Sequence, residues 1–112
     1  MASIVTACVL SYNHEKWLEK CLESICSQKT DYEFTVLVHD DCSTDGSKAI
    51  IERFEKKYPA LMQTIYQEKN QYSQGINIVQ KYVIPAIKTK YFAICEGDDY
   101  WCDSSKLQKQ ID

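Results

Sequence analysis

The sequence IVTACVLSYN, residues 4–13, decides the fold. Its first seven residues are almost unbroken in apolar character, and Ser11, Tyr12 and Asn13 end the run abruptly. A short apolar run bounded by polar turn residues predicts a strand buried on both faces, as in a parallel sheet. Asn13 offers an N-cap for a helix. The apolar side chains of that helix recur at helical spacing: Trp17, Leu18, Cys21, Leu22, Ile25 and Cys26.

The same alternation of strand and helix continues along the chain. Three further runs are predicted to be strands: residues 34–38, residues 61–66 with a weaker signal, and residues 91–95, which are predicted to be buried. A second helix follows the second strand, with a predicted buried face of Ala49, Ile50, Ile51, Phe54 and Tyr58. Residues 76–82 predict a helix that Pro85 ends or kinks, and Asp103 or Ser104 is expected to cap a last helix. This order predicts an α/β fold, a Rossmann-like parallel sheet sandwiched by helices.

Composition excludes several classes of function. The 112 residues fit one globular domain, and 13 basic against 16 acidic residues give a net charge of −3 without a block of like charge. Neither nucleic acid nor an anionic membrane is indicated as a partner. No apolar run approaches the roughly 20 residues of a transmembrane helix. The six cysteines form no C-x-x-C pair, and buried thiols favour a reducing compartment. We expect a cytoplasmic protein, at most peripheral to the inner face of the membrane.

Polar clusters follow three of the four predicted strands directly. They are Ser11-Tyr12-Asn13 after the first strand, Asp40-Asp41 after the second and Glu96-Asp98-Asp99 after the fourth. In open parallel sheets, ligands bind beyond the carboxyl ends of the strands. Because those ends lie at one edge of the sheet, we predict that the three clusters form a single site.

The sequence Glu96-Gly97-Asp98-Asp99 places three carboxylates within four residues. Glycine lets a ligand come close, and crowded negative charges favour a divalent cation. Magnesium takes one or two protein carboxylates and completes its octahedron with phosphate oxygens and water. A solvated turn with a helix cap is the alternative, and the acids alone do not separate the two. The buried strand before the cluster and the Tyr100-Trp101 pair after it favour a metal-bound phosphate ligand.

Two kinds of polar residue follow the second predicted strand. Asp40 stands at the strand tip, where a carboxylate can accept hydrogen bonds from a base or a ribose. Ser43, Thr44 and Asp45 are predicted to form a strand-to-helix loop with its cap.

The remaining polar candidates carry weaker signals. His14 and His39 have no obvious partner in the sequence, and a lone histidine is more often structural, so neither is placed in the catalytic set. Asn70, Gln74 and Gly75 form a polar segment after the third strand, which composition does not distinguish from a surface loop.

Three motifs together resemble the successive signatures of family-2 glycosyltransferases. They are Val9-Leu10-Ser11-Tyr12-Asn13, His39-Asp40-Asp41-Cys42-Ser43-Thr44-Asp45-Gly46-Ser47 and Glu96-Gly97-Asp98-Asp99-Tyr100-Trp101. The segment Lys106-Leu107-Gln108-Lys109-Gln110 is similar to the helix that follows the metal motif in that family. Each motif alone is weak, but their order and spacing match, and the resemblance covers essentially the whole chain.

The resemblance implies a GT-A type fold, of which residues 1–112 form the N-terminal part that binds a nucleotide-diphosphate sugar. It also implies an inverting transfer from that donor, expected to be a UDP-sugar, to a saccharide or lipid-linked acceptor, with Mg²⁺ or Mn²⁺ as cofactor. Ser11 and Tyr12 would line the base pocket largely through their backbone, and Asp40 would contact the base. The implied nucleotide-binding residues are Ser11, Tyr12, Asn13, Asp40, Asn70, Gly75 and Asp98. The implied metal ligands are Asp98 and Asp99, with Glu96 where many relatives have aspartate.

The sequence departs from the family's pattern in three places. Leu10 stands where proline is frequent, and Cys42 stands where glycine is frequent. The stretch from Asn70 to Gly75 replaces a tighter Asn-x-Gly turn. Because of this last change, the sequence does not predict which residues contact the ribose and the sugar.

The chain ends at Asp112 inside a helix-like pattern, and the family's domain would continue beyond it. We therefore expect the acceptor half and the catalytic base after residue 112, no catalytic residue in this chain and weak or absent transfer by it alone. A non-catalytic nucleotide-binding module of the same fold stays open as the alternative. A phosphoacceptor signalling domain would need acids at the end of the first strand, where Ser11-Tyr12-Asn13 stand.

Overall fold

The computed structural model describes residues 4–29 and 33–98 and confirms the predicted α/β class. Its strands are β1 (Val5–Ser11), β2 (Phe34–Asp40), β3 (Met62–Tyr66) and β4 (Tyr91–Glu96). Its helices are α1 (Glu15–Cys26), α2 (Ser47–Lys57) and α3 (Ile84–Ala86), preceded by a 3₁₀ turn at Tyr72–Gln74 and a π-helical turn at Val79–Val83. Each predicted strand lies within two residues of its observed bounds. The predicted helix after Asp103 or Ser104 lies outside the described residues.

The four strands form one parallel sheet in the order β3-β2-β1-β4. β1 therefore lies inside the sheet, which explains why its residues are apolar on both faces. Its last residues, Leu10 and Ser11, lie opposite Glu96 of β4 and Asp40 of β2. The carboxyl ends of three neighbouring strands are thus level with one another.

Helical segments cover both faces of the sheet, as predicted. One face packs against α1 and α2 in a core that includes Val9, Leu22, Val38 and Phe54. The other face carries Cys8 of β1 and Leu37 of β2, which pack with Val83, the last residue of the π-helical turn, and with partly buried side chains from Ile78 to Ile87. The α-helix ends at Ala86, one residue beyond Pro85, because Ile87 has an extended backbone. Within the described ranges, no helix has the length and hydropathy that crossing a bilayer requires.

The structure corrects the prediction that β4 is a buried strand. Tyr91, Phe92 and Ile94 are each exposed by 42% or more, and Cys95 is the buried apolar residue of the strand. β4 lies at the edge of the described sheet, beyond β1. Apolar composition alone does not reveal which strand of a sheet lies at its edge.

Two further corrections concern the helices. The N-cap of α1 is His14 rather than Asn13, and the His14 side chain makes no capping hydrogen bond to the described part of the helix. Asn13 has a φ of 53°, a left-handed conformation that asparagine tolerates better than most residues. Trp17 and Ala49, both predicted on buried faces, are exposed. They lie at the margins of apolar stripes whose centres, Leu18 and Ile51, are fully buried.

We expect Leu18→Ala to lower the free energy of unfolding by about 2–5 kcal/mol, because it leaves a cavity in the core between α1 and the sheet. Trp17→Ala is the matched control, since Trp17 is adjacent in the same helix but 49% exposed. Its cost should be roughly 1 kcal/mol or less. Urea denaturation measures both values, and equal losses would contradict the described placement of the helix.

Candidate functional site

Hydrogen bonds join the carboxyl ends of β1, β2 and β4. The Ser11 hydroxyl donates to Asp40 Oδ1 over 3.1 Å, and the Asp41 amide donates to the Ser11 carbonyl over 2.9 Å. On the other side of β1, the Gly97 amide donates to the Leu10 carbonyl over 2.8 Å. The three polar clusters therefore lie together, as far as their residues are described.

A cleft of about 830 Å³ opens at this edge of the sheet. Three of the predicted nucleotide-binding residues line it, namely Ser11, Tyr12 and Gly75, and so does the predicted metal ligand Glu96. Asp41, predicted to belong to the site as part of the Asp40-Asp41 cluster, also lines the cleft. Its remaining walls are formed by residues outside the predicted binding set: Leu10, His14, His39, Tyr72, Ser73 and residues 76–79. Most of the apolar side chains in these walls, namely Ile76, Ile78 and Val79, come from the segment before α3, where the sequence pattern is weakest.

Asp40 lies beneath the cleft rather than in its wall. The residue is 2% exposed, and its carboxylate accepts hydrogen bonds from the Ser11 hydroxyl and from the backbone amide and hydroxyl of Ser43. These bonds hold the loop after β2 against the end of β1. Direct contact between Asp40 and a base stays a prediction, and it would require some of these bonds to be exchanged.

Asp41 is the member of the Asp40-Asp41 pair that lines the cleft. Its carboxylate accepts hydrogen bonds from the backbone amides of Gln71 over 2.7 Å and Tyr72 over 3.1 Å. Its carbonyl accepts another from the Asn70 side-chain amide over 3.1 Å. Asp41 thus anchors the segment that forms the far wall of the cleft.

Asn13 and Asn70, both predicted to bind nucleotide, brace loops around the cleft. The Asn13 side-chain oxygen accepts a hydrogen bond from the Thr44 amide over 2.8 Å. The Asn70 side-chain oxygen accepts one from the Ser73 amide over 2.7 Å. Neither residue lines the cleft. Their predicted contacts to nucleotide stay predictions.

The loop between β2 and α2 confirms the predicted loop character of Ser43, Thr44 and Asp45. Asp45 accepts a hydrogen bond from the Ser47 amide over 2.9 Å and one from the Glu15 amide over 3.2 Å, so it links the starts of both helices. Cys42 has a φ of 60°. A left-handed backbone favours glycine, which accounts for the glycine that is frequent there in similar sequences.

His39 forms part of the cleft floor at the end of β2. The residue is 1% exposed, its Nε2 lies 3.2 Å from the Gln67 amide nitrogen, and its ring lies 5.7 Å from that of Tyr82. Burial lowers the pKa of His39, although the nearby Asp41 and Asp40 carboxylates oppose that shift. The amide nitrogen of Gln67 can only donate, so Nε2 accepts and the ring is neutral.

His14 and Gly97 approach each other where α1 meets the end of β4. A Cβ at position 97 would lie 2.6 Å from His14 Nδ1 and 3.2 Å from the Leu10 carbonyl oxygen. Glycine at this position therefore allows the two elements to meet. His14 Nδ1 is buried and has no hydrogen-bond partner among residues 4–29 and 33–98.

The predicted metal ligands lie at the end of β4. Glu96 and Asp98 are exposed, and Asp99 lies outside the described residues. Within residues 4–29 and 33–98, no group of three acidic, histidine or cysteine side chains could hold a metal ion. Carboxylates nevertheless fit Mg²⁺ or Mn²⁺, because such ions take one or two protein carboxylates and complete their shell with phosphate oxygens and water.

A Rossmann-like sheet with a ligand-sized cleft at its strand ends places the chain among the α/β proteins that bind ligands beyond the carboxyl ends of their strands. A family model described as "Glycosyl transferase family 2" matches residues 6–112. The chain belongs to this family.

Curated relatives and solved structures agree with that assignment. Rv1520 of Mycobacterium tuberculosis, an uncharacterized protein, is 37% identical over 91% of this chain and 29% of its own length. The putative teichuronic acid biosynthesis glycosyltransferase TuaG of Bacillus subtilis is 28% identical over 100% of this chain and 41% of its own. The chain thus spans about three to four tenths of the length of these relatives.

Two solved structures share the fold and confirm its GT-A type. The mannosyltransferase PcManGT of Pyrobaculum calidifontis, in complex with GDP-Man and Mn²⁺, has a TM-score of 0.82 at 23% identity and covers 99% of this chain and 32% of its own. TarS 1–349 of S. aureus, in complex with UDP, has a TM-score of 0.78 at 26% identity and covers 96% of this chain and 30% of its own.

We expect Gly97→Ala to lower the free energy of unfolding by about 1–3 kcal/mol, because the new methyl group overlaps His14. Combining it with His14→Ala should recover part of the loss, a coupling of roughly 0.5–3 kcal/mol in a double-mutant cycle. Gly75→Ala is the control: its φ of 77° strains an alanine, but no atom lies within 4 Å of the new methyl group. That variant should show no coupling to His14→Ala in urea denaturation. Additive effects of His14→Ala and Gly97→Ala would contradict the described contact.

The pKa of His39 predicts a loss of stability in mild acid. Since burial lowers this pKa in the folded protein, the unfolded state binds the proton more readily. Stability is therefore retained above the unfolded pKa of about 6.5 and falls as the pH drops below it, by up to about 1.4 kcal/mol per pH unit for one proton. His39→Gln should reduce this slope between pH 7 and 5, as urea denaturation at several pH values would measure. An unchanged slope would assign the acid sensitivity to other groups.

Proposed function

We propose that this chain is the donor-binding part of an inverting glycosyltransferase that transfers a sugar from a nucleotide diphosphate, UDP by preference, to a saccharide or lipid-linked acceptor. Membership of the family supports the transferase class. The observation that carries the donor-site assignment is the cleft at the joined carboxyl ends of β1, β2 and β4, with Glu96 in its wall. Its volume of about 830 Å³ lies within the usual range for small-molecule sites, roughly 300–1,000 Å³.

The walls of the cleft suggest how a donor would lie in it. Ser11, Tyr12 and Asp41 line the part of the cleft near the ends of β1 and β2. Tyr12 is 45% exposed there, and the backbone of these residues lies at the cleft wall. Exposed aromatic rings and backbone amides suit a nucleobase, which has a flat apolar face and a polar edge. Glu96 lies at the β4 side, beside the exposed Asp98. We assign the base to the first region and the diphosphate to the second.

Mg²⁺ or Mn²⁺ would be held by Glu96 and Asp98, with Asp99 as a further expected ligand. When bound, the cation would neutralise charge on the departing diphosphate. The chain itself contributes binding and orientation. Gly97 keeps the ends of β1 and β4 close together, and the neutral His39 ring adds no positive charge beside the Asp40 and Asp41 carboxylates.

An inverting transfer also needs a base that deprotonates the acceptor hydroxyl on the face opposite the leaving group. We assign no residue of this chain to that role and propose that the base lies outside these 112 residues. His14 and His39 line the cleft, but one has its Nδ1 buried against Gly97 and the other has its Nε2 engaged by Gln67.

Calorimetric titration with UDP, with and without Mn²⁺, tests the donor site. We expect binding that Mn²⁺ strengthens, and an affinity lower by a factor on the order of 10 or more in Asp98→Ala/Asp99→Ala. Glu52→Ala/Glu68→Ala is the matched control, because it also removes two carboxylates but from exposed positions outside the cleft. Its affinity should match that of the unmodified chain.

The same titration can contradict the proposal in two ways. If Mn²⁺ has no effect on UDP affinity, the proposal that a metal ion binds the diphosphate in this cleft is wrong. If GDP or dTDP binds with Mn²⁺ and UDP does not, the nucleotide preference is wrong while the donor site stands. Formation of glycosylated acceptor together with UDP from a UDP-sugar distinguishes a transferase from a non-catalytic nucleotide-binding module.

A further inference from the structure

Two buried thiols meet where α1 packs against the end of β4. Cys21 of α1 is 0% exposed and Cys95 of β4 is 4% exposed. Their sulfur atoms lie 3.8 Å apart, well beyond the roughly 2.05 Å of a disulfide, so both are thiols. Both belong to the core between the sheet and helices α1 and α2, and they lie directly beneath the Glu96-Gly97-Asp98 turn.

Both thiols reach the backbone carbonyl of Glu96. The Cys21 sulfur lies 3.7 Å and the Cys95 sulfur 3.5 Å from the Glu96 carbonyl oxygen, in donor geometry. The Gly97 amide bonds to Leu10 on β1, and Leu10 lies opposite Glu96 in the register. In a parallel ladder, consecutive residues direct their backbone groups to opposite sides, so the Glu96 carbonyl points away from β1.

The turn after β4 is thus held from two directions. On the β1 side it is fixed by the bond from Gly97 to Leu10, and on the α1 side by the two thiols. Glu96 and Asp98 flank the glycine of this turn, and their side chains are exposed. The direction of each carboxylate therefore depends on how the peptide units between them are oriented.

We propose that Cys21 and Cys95 are positioning residues that orient the Glu96-Gly97-Asp98 turn, and with it the carboxylates for the cation on the donor diphosphate. The inference rests on the proposed donor site. It assigns a role to two thiols that would otherwise be core filling. Neither thiol touches the donor, and both act through the Glu96 carbonyl.

The other buried cysteines show what core filling alone looks like. The Cys8 thiol lies 4.0 Å from the Thr6 carbonyl in its own strand, and the Cys26 thiol lies 3.9 Å from the Met62 sulfur. Burial raises the pKa of Cys8 to about 11 and that of Cys26 to about 12, so both stay protonated. Among the described residues, these thiol contacts lie away from the turn after β4. They provide a control for the loss of buried sulfur.

The test compares Cys21→Ala/Cys95→Ala with Cys8→Ala/Cys26→Ala in the full chain. Both pairs should lower the melting temperature, because both remove buried side-chain atoms. The ratio of UDP affinity with Mn²⁺ to that without should fall on the order of 10-fold in the first pair and stay unchanged in the second. Cys21→Ser/Cys95→Ser keeps two donors of nearly the same shape, so it should restore most of the ratio, and it provides a folded variant if the alanine pair is too unstable.

A second readout needs no ligand. Deuterium exchange of the Gly97 amide should accelerate in Cys21→Ala/Cys95→Ala relative to amides in the middle of β1, and the Cys8→Ala/Cys26→Ala pair should leave that difference unchanged. An unchanged affinity ratio and unchanged Gly97 exchange in the first pair would overturn the inference, as would equal changes in both pairs. Absence of any Mn²⁺ effect in the unmodified chain is a separate result, because it contradicts the proposed function itself.

Discussion

The central constraint on this molecule is the position of β1 between β2 and β4 in a parallel sheet. A strand with neighbours on both sides and helical segments on both faces is largely apolar, and a polar side chain within it needs a hydrogen-bond partner. The apolar run of β1 ends at Ser11, whose hydroxyl bonds to Asp40. Because the strands are parallel and in register, the polar ends of all three arrive at the same edge.

Carboxylates that lie close together repel one another, and the fold offsets this repulsion in two ways. Asp40 is buried but receives three hydrogen bonds, and Asp41 receives two from backbone amides. Glu96 and Asp98 stay exposed, where water or a cation can solvate them. The first pair therefore acts as structural anchors for the loops, and the second pair remains available to a ligand. His39, whose Nε2 accepts a hydrogen bond from the Gln67 side chain, lies beside the anchors without forming an ion pair with them in the described residues.

Much of the fold follows from the sequence because local and global signals agree. Apolar runs locate all four strands, and the spacing of Leu18, Cys21 and Leu22 identifies the buried face of α1. Edge exposure at Phe92 could not be predicted, because strand order depends on the whole topology. The site was predicted in outline from the strand ends. The sequence did not predict which of the two aspartates lines the cleft. Asp40 lies beneath the cleft and Asp41 lies in its wall because adjacent side chains point in different directions at the end of a strand.

The most direct test of the central claim, that the three strand ends form one nucleotide-diphosphate site, is a backbone amide chemical-shift map with UDP and Mg²⁺. If the strand ends form one site, the largest changes will fall together on Ser11 and Tyr12, on Asp41, on residues 75–79 and on Gly97. The opposite ends of the strands, near Val5 and Tyr91, will stay unchanged. Large changes confined to those opposite ends, or to the outer faces of α1 and α2, would contradict it.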